Sequence, residues 1–119
     1  MKKRILILLT LLLFAAGAEA KLVVIGSGND TRFDPSGFPP EMQKAYKLME
    51  VKCVKCHSLE RAAIALQTGI APITGGLFDR NATRAYGIKM LRKPDSNMTK
   101  QDVKIVVPLL NYMLGEVEH

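Results

Sequence analysis

The string "CVKCH", Cys53 to His57, constrains this chain more than any other stretch. It holds the only two cysteines and one of the two histidines. Two thiols at this spacing serve one of three ends: a redox disulfide, half of a zinc site, or the anchorage of a haem. A structural zinc site wants four ligands. Beyond the motif the chain offers only the terminal His119, and the adjacent Cys56 and His57 are awkward as co-ligands. A thioredoxin-type pair belongs at the start of a helix that follows a strand, within an alternating strand–helix chain. Here a helical pattern precedes the pair, and no such alternation is visible.

Haem attachment is the use that needs all three residues. Each thiol adds to a vinyl group to form a thioether, and the neighbouring histidine becomes the proximal iron ligand. Bacterial attachment of this kind takes place outside the cytoplasm, and the chain opens accordingly. In "MKKRILILLTLLLFAAGAEA" a basic start (Lys2, Lys3, Arg4) precedes an apolar run from Ile5 to Ala16, closed by Ala18-Glu19-Ala20. This reads as a secretory signal peptide over residues 1–20, cleaved after Ala20. The alternative is a retained anchor, although the run is short against the roughly 20 apolar residues that span a bilayer. The expected location is the periplasm, or a membrane tether facing it.

Removing three bases and one acid with the leader leaves 99 residues at a charge of +4 instead of +6. That length holds one small domain. A mild positive balance favours an acidic partner surface or anionic headgroups. Nucleic acid is not an expected partner, because an exported chain without a dense basic stripe lacks the electrostatic footprint. There is no tryptophan, and a domain this small often needs a staple. A covalent porphyrin supplies one and fills the core.

Residues 21–38 read as an irregular N-terminal segment, with Leu22 to Ile25 a short extended piece, and residues 39–119 as the domain proper. Pro39-Pro40 suits a helix start. From there Met42, Ala45, Tyr46, Met49 and Cys53 fall at three- and four-residue intervals, an amphipathic helix running into the motif. A short helix is expected to about Gln67, then a Gly/Pro-punctuated loop through Gly76. Asp79 is the expected N-cap of a helix over "RNATRAYGIKML", interrupted at Gly87. Thr99 and Asp102 give a weak cap signal for a last helix with Val103, Val106, Val107, Leu110, Met113 and Leu114 on one face. Pro108 inside that pattern is expected to kink it.

A helix entering C-x-x-C-H (Pro40 to His57), a loop, a short helix ending near a methionine, and a closing helix together resemble the small monohaem class I cytochromes c. The resemblance covers roughly residues 40 to 117. It implies an all-α, small cytochrome c fold of three to four helices around one covalently bound haem c. It also implies that the first and last helices cross, so that Tyr46 and Met49 meet Leu110 and Leu114. The short bacterial variety carries an aromatic four residues before its methionine, matched here by Tyr86 and Met90 in "AYGIKM".

The sixth iron ligand is then Met90 or Met98. Met42, Met49 and Met113 lie on helix faces, where methionine is a core residue. Met98 directly precedes the cap of the last helix, which leaves almost no loop to reach the haem. Met90 stands nine residues before Thr99, as the family spacing has it, and is the expected ligand beside His57. The resemblance further implies that a proline carbonyl, here Pro72, accepts the ring N–H of His57. Arg61 reads as a solvated helix residue, the alternative being a partner of a haem propionate.

The implied function is electron transfer without catalysis. Lys52, Lys55, Lys89 and Lys93 would dock periplasmic redox proteins or membrane electron-transfer complexes. Two rival readings exist. One is a haem-bearing subunit of a larger membrane complex, which the extended 21–38 segment would favour. The other is a haem peroxidase or gas-binding sensor, disfavoured by the lack of an obvious distal His or Arg.

Overall fold

The computed structural model describes residues 22–117; the expected leader lies outside the described residues. The fold is mostly helical. Four helices, α1 (Pro40–Lys52), α2 (Glu60–Thr68), α3 (Arg80–Leu91) and α4 (Lys100–Val117), follow a small antiparallel hairpin. An all-α fold with an irregular start was expected, apart from a short extended piece at Leu22 to Ile25. That piece holds β1 (Val24–Ile25), and it pairs, unexpectedly, with β2 (Arg32–Phe33), placing Val24 opposite Phe33 and Ile25 opposite Arg32. The turn between them needs a glycine: Gly26 has φ 74°, and a Cβ there would collide with the Asp30 carbonyl oxygen.

The hairpin is tied into the core rather than appended to it. Phe33 and Phe38 are buried, and both rings meet Tyr46 edge-on at centroid distances of 6.2 and 6.1 Å. Phe38 also meets Tyr112 of α4 at 5.2 Å. The Tyr46 hydroxyl accepts the backbone N–H of Phe33 at 2.8 Å, so a polar atom deep in the core is satisfied. Burial holds the Tyr46 phenol protonated, with its pKa pushed up to about 12.

Helix ends follow local chemistry. Pro40 opens α1. The Asp79 carboxylate accepts from the N–H groups of Asn81 and Ala82 and starts α3. At α4 the cap is a full reciprocal box: Thr99 N–H donates to Asp102 Oδ2 at 2.8 Å, and Asp102 N–H donates to Thr99 Oγ1 at 3.1 Å. Helix α4 runs unbroken through Pro108, whose side chain is exposed.

Helix α4 is the spine against which α1 and α3 pack, and it contributes Val106, Leu109, Leu110, Met113 and Leu114 to the core. Tyr46 and Met49 of α1 belong to the same core cluster as Leu110 and Leu114. Gly87, expected as an interruption of α3, lies within the continuous helix and faces α4. A Cβ there would stand 3.0 Å from Val107 Cγ2 and 3.2 Å from Val103 Cγ1, so a larger residue would require those valines to shift. One turn earlier the fully buried Thr83 hydroxyl donates to Asn111 Oδ1 at 2.7 Å. Among the described residues no helix is long and apolar enough to cross a membrane.

Candidate functional site

The motif residues occupy the turn that leaves α1. The Cys53 N–H still donates to the Met49 carbonyl at 2.9 Å, so this side chain is carried on the helix end. Cys56 and His57 follow in the open turn. Cys53 is half-buried, Cys56 exposed, and both are free thiols. Burial, and secondarily the negative charge of Asp102, push the Cys53 thiol up to about 11. A redox-active pair needs the opposite, a thiolate stabilised near neutral pH. Among the described residues, which leave out His119, no three His, Cys, Asp or Glu side chains converge.

The His57 Nδ1 lies 2.8 Å from the Ser58 carbonyl oxygen. A carbonyl only accepts, so Nδ1 is the donor here, and in a neutral imidazole the lone pair is then on Nε2. The partner expected for that N–H was Pro72. Here it is the adjacent backbone carbonyl, reached because Ser58 follows His57 directly.

Cys53 and His57 open onto an apolar cavity of about 230 Å³. Met49 lines it from α1, Ala62 and Ala65 from α2, and Val106 and Leu110 from α4. Pro72, Ile73 and Thr74 contribute from the loop after α2, and Tyr86, Gly87 and Met90 from α3. Met98 enters from the loop before α4. Both candidate methionines therefore reach the same cavity as His57. Cys56 does not line it. Met113, by contrast, is wholly buried in the core, and Met42 packs against that core.

No acid borders this cavity, but three cations do: Arg61, Lys89 and Lys93. Arg61, expected as a solvated residue, is exposed and at the same time part of the lining. The lining thus suits a ligand that presents an apolar surface to the cavity and negative groups at its edge. Tyr86 helps shape the opening. Its hydroxyl is hydrogen-bonded to that of Thr74 at 2.7 Å, its ring packs on Phe78 at 5.5 Å, and the Lys89 ammonium lies 5.6 Å from its centroid.

Lys52 departs from its expected docking role. Its ammonium donates to the Asn97 carbonyl at 2.7 Å and lies 3.5 Å from Asp102 Oδ2, so it clamps the end of α1 to the 92–99 loop and the start of α4. Met98 follows Asn97 immediately, and its N–H donates to Ser96 Oγ at 3.3 Å. Sequence reasoning missed this clamp because the partners lie 45 residues apart. Thr74 was also missed, since only the fold brings its segment to the cavity, and Arg61, read as solvated with a propionate partner as the alternative, lines it as well. No family model, curated protein or solved structure matches the chain.

Proposed function

We propose that the chain is an exported, non-catalytic electron carrier of the small class I cytochrome c kind. One haem c is held through Cys53 and Cys56, with His57 and Met90 as its iron ligands. The observation that carries the reading is the meeting of His57, Cys53 and a methionine thioether in one apolar cavity with a cationic, acid-free rim. When bound, the group supplies a one-electron couple. The protein's own part is to hold and to insulate. His57, its Nδ1 proton given to Ser58, keeps Nε2 as a lone-pair donor. Met49, Ala65, Val106 and Leu110 exclude water, and Arg61, Lys89 and Lys93 offer partners for peripheral carboxylates.

The main rival is a haem-bearing subunit of a larger membrane complex, for which the extended 21–38 segment would speak; two residues of that segment, Phe33 and Phe38, belong to the core. The test is the absorption spectrum of the exported protein after acid–acetone extraction, with and without carbon monoxide. A Soret band that survives extraction, unmoved by carbon monoxide, is expected. Its absence overturns haem attachment, and ready carbon monoxide binding overturns closed His/Met ligation in favour of a sensor or peroxidase.

A further inference from the structure

Helix α3 carries Met90, yet its apolar packing does little to fix where that methionine stands. Its two buried residues are Thr83 and Gly87, neither of them a large apolar side chain. Ala82 and Tyr86 are only partly buried against the core. Helices lock their register by fitting side chains into one another's grooves, and a glycine facing Val103 and Val107 offers none.

One polar contact crosses the seam instead. The Thr83 hydroxyl is fully buried and lies 2.7 Å from Asn111 Oδ1 of α4. Its other partner, the Arg80 carbonyl at 2.9 Å, belongs to α3 itself and fixes nothing between the helices. Sliding or turning α3 on α4 breaks the Asn111 contact. A buried polar pair of this kind adds little net stability but selects one register over its neighbours. The helix repeat carries that register onward. Met90 follows Thr83 by seven residues, so the two stand on nearly the same face of α3, about 10 Å apart. Gly87 and Met90 line the main cavity, and the seam that begins at Thr83 therefore leads into it. We propose that Thr83 and Asn111 are positioning residues: by setting the register of α3 on α4 they deliver Met90 to the cavity it shares with His57. The proposal rests on Met90 as the iron ligand.

The experiment compares three variants of the full haem-loaded chain. Thr83→Val removes the hydroxyl, Thr83→Ser keeps it, and Thr83→Val with Asn111→Leu makes the whole pair apolar. Denaturant unfolding is read beside the rate at which the ferrous protein binds carbon monoxide, which scales with the fraction of chains whose methionine has left the iron. Thr83→Ser is expected to match the parent in both. Thr83→Val alone strips Asn111 of its partner and is expected to lose stability. The double variant is expected to unfold near the parent's midpoint, because exchanging both partners for apolar groups is close to neutral. It is nevertheless expected to bind carbon monoxide at least about tenfold faster. An unchanged rate in the double variant, or rates that only follow stability across the three, overturns the proposal. Peroxide oxidation of Met90 relative to Met98, read by mass spectrometry, needs no haem. The double variant is expected to raise that ratio. An unchanged ratio overturns the positioning role whether or not a Soret band is found, so its failure and that of the haem reading are distinguishable.

Discussion

Helix α1 has two unlike neighbourhoods. Around Tyr46 the chain is closed: Phe33, Phe38 and Tyr112 surround the ring, and the phenol oxygen has its partner. One to two turns further on, around Met49 and Cys53, the same helix borders an open apolar cavity. The contrast teaches that the aromatic core is complete without a ligand, whereas the cavity's apolar walls have only each other. On the proposed function the first region serves stability and the second serves binding, and substitutions should separate the two.

The largest separation is expected on the open side. Met90→Ala should abolish the weak sulfur-to-iron charge-transfer band of the oxidised protein, while Met98→Ala spares it. The reverse result would move the ligand to Met98, which the Lys52 clamp holds beside the same cavity. On the closed side, Phe33→Ala should cost about 3–5 kcal/mol in denaturant unfolding, because it empties a fully buried aromatic site. Its band should be unchanged in the folded protein. A spectral change from Phe33→Ala would break the division between the two neighbourhoods.

The smallest effect belongs to the joint between them. Asp102→Ala removes half of the α4 capping box and the partner of Lys52, at a cost of about 1 kcal/mol. The Thr99 N–H, and after it the Lys52 charge, hold the Asp102 carboxyl below its ordinary value. A depressed folded pKa contributes stability above the unfolded carboxylate pKa and loses it as pH falls through the folded value. Asp102→Ala should therefore be less stable than the parent near neutrality, and the two unfolding curves should converge in acid. Parallel curves across that range would sink the assignment.

Much of the fold was legible because its signals are short-range. Asp79, Pro40 and the Thr99–Asp102 pair act on backbone groups within three residues of themselves, so the helix starts follow from adjacent side chains. Of the hairpin, only the extended piece at Leu22 to Ile25, which holds β1, was legible, and its pairing with β2 was not. The strands are two residues each, too short for alternation to register, and the Phe33 N–H is held by the Tyr46 hydroxyl thirteen residues away. Gly87 misled for a related reason. Inside a helix, glycine reads as a weak point until the facing helix shows what needs the space.

The sequence by itself determined the helix starts, the adjacency of two thiols and an imidazole, and the methionine-bearing segment downstream. These depend on spacing along the chain. Only the tertiary structure decided that Met90 and Met98 share a cavity with His57, that Arg61 borders it, and that Lys52 is engaged. Each of those joins segments distant in sequence, and their meeting depends on the packing of α1 and α3 against α4.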